Sequence, residues 1–104
     1  VSVDESQSGI PTSVALHQNY PNPFNPSTTI KYQLPEKSHV TLKVFDVLGR
    51  RVNVIASGML RAGVSELAWN GKREDGGRAV GGVYFLKLEA AGVRRTARVV
   101  LLQP

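Results

Sequence analysis

The sequence predicts an all-β domain, a seven-stranded antiparallel β-sandwich of immunoglobulin-like size. From Val14 onward, short apolar runs alternate with turn residues about every ten positions, which is the spacing of strands in a sandwich. No segment sustains the period of an amphipathic helix. The length of 104 residues suits one domain with a modest core.

The first predicted strands show strict alternation of apolar and polar residues. In the first, Ile30, Tyr32 and Leu34 share one face, and Pro35 ends the strand because proline cannot donate to a ladder. Gly49 marks the turn that separates the second strand from the third. The clear strand segments are TTIKYQL (28–34), HVTLKVFDV (39–47), RRVNVIA (50–56), GVSELAWN (63–70), GGVYFLKLEA (81–90) and RTARVVLL (95–102).

The last two segments are predicted to form a hairpin around Ala91-Gly92. In the first of them, Tyr84 lies on one face, whereas Phe85 and Lys87 lie on the other. Because segments 84–89 and 96–102 are the most apolar, we expect both to be central in their sheet. Three large aromatic residues are expected to fill the core: Trp69, Tyr84 and Phe85.

The polar start of the chain differs from the rest. Residues 1–13 are small and polar, with Gly9 and Pro11 as breakers, so we expect a linker. Residues 14–104 form the predicted domain. The chain lacks an initiating Met and is expected to be part of a longer precursor. No apolar run approaches the length of a membrane span.

The net charge of +5 raises the question of a nucleic-acid partner. Basic residues are dispersed along the chain, and a stripe of Arg94, Arg95, Arg98 and Lys87 is the densest group. Readers of single strands interleave exposed aromatic residues with such a stripe, whereas alternation predicts that most aromatic residues here are buried. A solvated basic face, or a face for an acidic partner, is therefore favoured over nucleic-acid binding.

Residues for catalysis or metal binding do not form a recognisable pattern. Cysteine is absent, and His17 and His39 have no third ligand at a metal-binding spacing. The segment NGKREDGGR (70–78) carries adjacent carboxylates, Glu74 and Asp75, but lacks the spacing of a calcium loop and is predicted to be an exposed turn. We therefore expect no enzymatic activity, no cofactor and no metal.

The stretch NYPNPFNPST (19–28) combines three prolines with two aromatic residues. Three fixed φ angles make it a rigid loop, and the rings of Tyr20 and Phe24 are placed to pack onto the sandwich. One interpretation is a structural clasp over the end of the core. The other is a recognition loop, since rigid display of aromatic residues lowers the entropy cost of binding.

Four blocks of the sequence resemble a known family. They are LHQNYPNPFNPSTTIKYQLP (16–35), VTLKVFDVLGRRV (40–52), GVSELAWNGKREDGGRAVGGVYFLKLEA (63–90) and RTARVVLL (95–102). In this order they resemble the C-terminal sorting domain, type A, of the type IX secretion system. The third block is also similar to the immunoglobulin-like domain of flagellar hook-capping proteins. Two departures are the ending Gln103-Pro104, where members often end in a basic residue, and Asn70 in place of the commoner Asp.

The resemblance implies a sorting label. Such domains fold in the periplasm of Bacteroidetes and related Gram-negative bacteria, and the type IX translocon recognises them. A sortase-like peptidase then cuts upstream of the domain, which here implies the linker from the passenger, residues 1–13. The passenger is released or joined to anionic lipopolysaccharide at the cell surface. The domain would be a monomer that acts on its upstream passenger in cis. The expected recognition residues are Asn19, Tyr20, Pro21, Asn22, Pro23, Phe24, Asn25, Pro26, Asp46, Gly49, Arg50, Arg94, Arg95 and Arg98.

Two other functions remain open from the sequence. A carbohydrate-binding or spacer module of an extracellular glycosidase would share the predicted fold, although such modules usually expose a row of aromatic residues and Trp69 is the only tryptophan. A hook-capping-like assembly module would require oligomerisation.

Overall fold

The computed structural model describes residues 12–102, and over that range the chain forms seven strands in two antiparallel sheets. This arrangement confirms the predicted immunoglobulin-like sandwich. The predicted linker and the terminal Gln103-Pro104 lie mostly or entirely outside the described residues. The strands are β1 (Ala15–Leu16), β2 (Thr28–Leu34), β3 (Ser38–Asp46), β4 (Arg51–Leu60), β5 (Gly63–Trp69), β6 (Gly82–Ala90) and β7 (Val93–Leu101).

The strands divide into a three-stranded sheet, in the order β1-β2-β5, and a four-stranded sheet, in the order β4-β3-β6-β7. Tight hairpins join β3 to β4 and β6 to β7 within the larger sheet, and the proline-rich loop joins β1 to β2 within the smaller one. The chain crosses between sheets after β2, β4 and β5. In this arrangement the start of β2, the end of β3, the start of β6 and the end of β7 all lie at one end of the sandwich. We call it the loop end.

Strict alternation places one face of each sheet in a shared core. In β2, β3 and β6 every second residue is buried, as the sequence pattern predicts. Trp69 lies at the centre of an aromatic cluster, with its ring 5.4 Å from that of Phe24 and 5.3 Å from that of Tyr84. The cluster therefore joins the proline-rich loop and both sheets. The largest fully buried aliphatic side chains are Ile30, Leu34, Leu42, Leu86, Leu88, Val40, Val44 and Val99.

The expectation that Phe85 fills the core is wrong. Tyr84 and Leu86 on either side of it face inward, so the period of the strand turns Phe85 to the outer face of the four-stranded sheet. There it lies directly opposite Phe45 of β3. Phe24, from the proline-rich loop, takes the place in the core instead.

The expectation that the last two strands are both central holds only for β6, which lies between β3 and β7. β7 is an edge strand. The second half of β7 can be apolar because the proline-rich loop covers its outer edge. Phe24 N donates to Val100 O at 2.9 Å, and Leu102 N donates to Phe24 O at 2.8 Å. Covering an edge in this way removes a template for unwanted strand pairing.

The hairpin between β6 and β7 turns at Ala91-Gly92, as predicted. Both residues have positive φ, 52° for Ala91 and 76° for Gly92. This is the pattern of a type I′ turn, whose twist matches that of the flanking strands. Ala91 is the only non-glycine residue with positive φ in the described range.

Candidate recognition surface

The loop of residues 19–26 runs between the two sheets and is bonded to both. Tyr20 and Thr29 exchange two backbone hydrogen bonds, of 2.9 and 2.8 Å, which fix the loop to β2. On the other side, Val100 N donates to Asn22 Oδ1 at 2.9 Å. The loop thus closes the open edge of the sandwich at the loop end. The peptide bonds before its three prolines are cis.

A buried amide holds the inside of this loop together. The side chain of Asn19 is almost inaccessible, and its Nδ2 donates to Thr28 Oγ1 at 2.8 Å and to Pro21 O at 3.2 Å. Thr28 Oγ1 also donates to Pro21 O at 2.8 Å, and Gln18 Nε2 donates to Asn19 Oδ1. A buried polar group is stable only when it is paired in this way, so Asn19 acts as an internal support for the loop.

The two aromatic rings of the loop have opposite roles. Phe24 is 1% exposed and packs against Trp69, whereas Tyr20 is 80% exposed. The clasp interpretation therefore holds for Phe24, the expectation that the Tyr20 ring packs onto the sandwich is wrong, and recognition by the loop stays a prediction. Phe24 closes the core, and Tyr20 is displayed to solvent.

The turn of residues 46–50 is shaped by one carboxylate. Asp46 Oδ1 accepts from Leu48 N and from Arg50 N, both at 2.9 Å, and Oδ2 accepts from Arg50 Nε at 2.9 Å. The backbone hydrogen bond from Arg50, together with its guanidinium and the Leu48 amide, holds the pKa of Asp46 below its ordinary value. Gly49, at φ 82°, completes the turn.

This rigid turn displays two apolar side chains. Val47 is 66% exposed and Leu48 is 72% exposed. Val80, which precedes β6, is 70% exposed and lines an open cavity of about 430 Å³ together with Asp46 and Arg50. Among the described residues, seven large apolar side chains are exposed, and most of them lie at the loop end: Tyr20, Val47, Leu48, Val80 and Leu102. Clustered exposure of this kind is typical of a contact surface.

The loop between β5 and β6 forms the charged rim of this surface. Glu74 N donates to Val52 O, and the Glu74 carboxylate accepts from Arg51 Nε at 2.9 Å, so the loop is fixed to the start of β4. Asp75 accepts from Gly77 N at 2.8 Å, and this bond, aided by the Arg73 guanidinium, lowers its pKa. The two carboxylates are thus engaged with cations and amides. Within the described range no three His, Cys, Asp or Glu residues are grouped as metal ligands.

The structure brings some of the predicted recognition residues together and separates others. Arg98 lies beside the proline-rich loop, and its carbonyl accepts from Gln18 Nε2 at 3.1 Å. Arg94 lies near the opposite end of β7, paired with Glu89 at 3.0 Å. Arg95 has the inward parity of its strand and so does not share a face with Arg94 or Arg98. The three arginines therefore do not form one stripe.

Sequence reasoning selected the turn of residues 46–50 but not the exposed apolar side chains of Val47 and Leu48 within it, and it did not select Val80. The apolar pair at 47 and 48 continues the pattern of β3, and the sequence prediction extended that strand to Val47, whereas β3 ends at Asp46. The available signal was Gly49 with Asp46 before it, the pattern of a turn capped by a side chain.

A family model described as the FlgD Ig-like domain matches residues 24–93. The chain belongs to this family. The match begins at the buried Phe24 and ends at the first residue of β7, so it contains the loop-end turn, the charged rim and the hairpin. No curated protein matches the sequence.

Solved structures of larger proteins contain the same fold. PorZ of Porphyromonas gingivalis, described as an essential bacterial surface component of the type IX secretion system, is 22% identical over 86% of this chain with a TM-score of 0.56. Dimeric latent PorU of the same organism is 18% identical over 88% of this chain with a TM-score of 0.68. This Ig-like domain covers only 11% and 9% of those chains, respectively.

A third similar structure is the Pseudomonas fluorescens alkylpurine DNA glycosylase AlkC bound to DNA. It is 14% identical over 98% of this chain and 34% of its own length, with a TM-score of 0.55. At these identities all three likenesses show a shared fold. In the described range, no helix is long and apolar enough to cross a membrane.

Proposed function

We propose that this Ig-like domain is a sorting domain that directs an upstream passenger through the type IX translocon, for release or attachment at the cell surface. The four sequence blocks support this route. The fold shared with parts of PorZ and PorU is consistent with it, since PorZ is itself a surface component of that system. In this role the domain is a label recognised by other proteins and not a catalyst.

The observation that carries the proposal is the exposed apolar surface at the loop end. Val47 and Leu48 project from a turn that is fixed by hydrogen bonds to Asp46, and the carbonyl of Val80 accepts a hydrogen bond from the Tyr84 hydroxyl. Apolar anchors held in one conformation bind a partner at a low cost in conformational entropy. Charged side chains around them, such as Arg50, form the polar rim that is usual for protein–protein contacts.

The proline-rich loop contributes to this surface in two ways. Through Phe24 and Asn19 it stabilises the end of the sandwich on which the apolar residues are displayed. Through Tyr20 it adds an exposed aromatic side chain at the same end of the sandwich. We therefore propose that the translocon reads the folded loop end and that the sortase-like peptidase cuts in the preceding linker, residues 1–13.

A fusion experiment tests this function. Residues 1–104 are joined to the C-terminus of a reporter carrying a periplasmic export signal, in a bacterium with an active type IX system. The proposal expects reporter in the medium or on the cell surface, and retention in a translocon-deficient strain. If the reporter stays periplasmic while an established sorting domain exports it in the same host, the proposal is wrong.

The family match favours a second candidate, an assembly module like the hook-capping Ig-like domain. In that role the loop end would bind another copy of the domain. Light scattering distinguishes the two, because the sorting proposal expects a monomer and the assembly role requires a larger species. A carbohydrate-binding role has less support, since Trp69 is fully buried and its Nε1 donates to Lys72 O at 2.9 Å.

A further inference from the structure

The outer face of the four-stranded sheet carries aromatic and basic side chains in adjacent rows. Phe45, Phe85 and Arg98 lie opposite one another on β3, β6 and β7. In the next row, Lys43 of β3 lies directly opposite Lys87 of β6. Same-face neighbours along a strand are about 7 Å apart, and neighbours across strands about 5 Å. We call these five residues the cationic face.

Basic side chains at the margins of the cationic face form ion pairs with carboxylates, whereas those within it do not. At one margin Arg94 pairs with Glu89 at 3.0 Å, and at the other Arg51 pairs with Glu74 at 2.9 Å. In the part of the chain that the structure describes, the three central cations have no carboxylate partner: Lys43, Lys87 and Arg98. A local excess of positive charge therefore remains at the middle of the sheet.

The register makes this arrangement costly for the isolated domain. Like charges directly opposite each other across two strands destabilise a sheet, and Lys43 and Lys87 form such a pair. Lys87 Nζ lies 4.8 Å from the centroid of the Phe45 ring, a contact that offsets part of the repulsion. An anion placed between the two ammonium groups would convert the repulsion into attraction.

We propose that the cationic face binds an extended acidic peptide segment of a partner protein, independently of the export route. The carboxylates on one side of the extended segment contact Lys43, Lys87 and Arg98, and its alternate side chains point away from the sheet. The spacing of alternate residues in an extended peptide matches the spacing of the rows. Complementary charge supplies specificity and a fast association rate.

The same geometry disfavours two other anionic partners. Phe45 and Phe85 are partly buried, and the Lys87 ammonium group covers the Phe45 ring. Stacking of nucleic-acid bases needs an accessible ring face, and insertion into a membrane surface needs protruding apolar side chains. A peptide carboxylate needs only the exposed ammonium and guanidinium groups.

The test uses the whole 104-residue chain. A fluorescein-labelled, end-blocked peptide of alternating Glu and Ser is titrated and followed by anisotropy. The Lys43→Gln/Lys87→Gln double variant is expected to bind the peptide at least about tenfold more weakly. The matched control, Lys31→Gln/Lys37→Gln, removes the same net charge from exposed positions outside this sheet and is expected to bind within about twofold of the wild type.

Further titrations distinguish an acidic peptide from other ligands of the cationic face. A peptide with Lys in place of Glu is expected not to bind. Phosphatidylglycerol vesicles and a thymidine oligonucleotide are titrated in parallel, and binding of either that is tighter than the peptide's and depends on Lys43 and Lys87 would overturn the proposal. Equal losses in the test and control variants would also overturn it, because net charge alone would then explain the binding.

Discussion

Replacing Phe24 with alanine tests whether the proline-rich loop stabilises the core through its buried ring. The ring is 1% exposed and packs against Trp69 with centroids 5.4 Å apart. The backbone bonds of residue 24 to Val100 and Leu102 remain available to alanine. The substitution therefore removes the ring and leaves the edge pairing in place.

The expected loss is large for a domain of this size. Truncation of a buried Phe to Ala costs about 3–5 kcal/mol, through lost burial and the cavity left behind. A chain of 104 residues has a total stability of about 5–15 kcal/mol. With a urea slope of about 1.5 kcal/mol per molar, the Phe24→Ala midpoint is expected to fall by at least about 2 M.

Tyr20→Ala is the matched control, because Tyr20 belongs to the same loop but its ring is 80% exposed. It should change the free energy of unfolding by less than about 0.5 kcal/mol. Urea titrations followed by Trp69 fluorescence measure both variants. A loss below about 1 kcal/mol for Phe24→Ala, or equal losses for the two variants, would refute the role given to Phe24 in the core.

Three further predictions concern the turns. Gly71→Ala is expected to destabilise the domain more than Gly76→Ala, because both residues have positive φ but only at Gly71 would the new Cβ lie 2.9 Å from Pro26 O; equal losses in urea titrations would contradict this. Ala91→Asn is expected to raise stability by about 0.5–1 kcal/mol, since Asn tolerates the left-handed conformation of a type I′ turn, and an unchanged or lower melting temperature would count against it. The lowered pKa of Asp46 means that its contribution is present above its ordinary value of 3.8 and is lost as the pH falls through the lowered pKa. The stability gap between wild type and Asp46→Asn should therefore narrow below about pH 4, and a gap independent of pH would disprove the linkage.

Several elements of the fold follow from local sequence patterns. The bounds of β2 equal the predicted segment 28–34, because one face of that strand is buried and the other is largely exposed, so its composition alternates from Thr29 to Leu34. The hairpin at Ala91-Gly92 is equally local. The wrong prediction for Phe85 came from its large ring, which suggested a core position. The alternation of β6 already placed Phe85 on the outer face, because Tyr84 and Leu86 on either side of it face inward.

The parts that sequence reasoning missed depend on distant contacts. Phe24 is buried because the loop pairs with Val100 and Leu102, more than seventy positions away, and no local pattern distinguishes it from Tyr20. The edge position of β7 was missed for the same reason. The apolar composition of β7 predicted a central strand, but its free edge is covered by the distant proline-rich loop. At the candidate site, Gly49 located the turn, but the display of Val47 and Leu48 follows from three hydrogen bonds to Asp46.

The central claim is that the apolar surface at the loop end is the part of the domain that the translocon reads. Its most direct test is the exported fraction of the reporter fusion carrying Val47→Ser/Leu48→Ser. The control is Met59→Ser/Val64→Ser, which changes two exposed apolar residues at the opposite end of the sandwich. The account predicts that the first pair blocks export while the domain stays folded, and that the second pair leaves export unchanged. Normal export of the first pair, or equal loss in both, would contradict it.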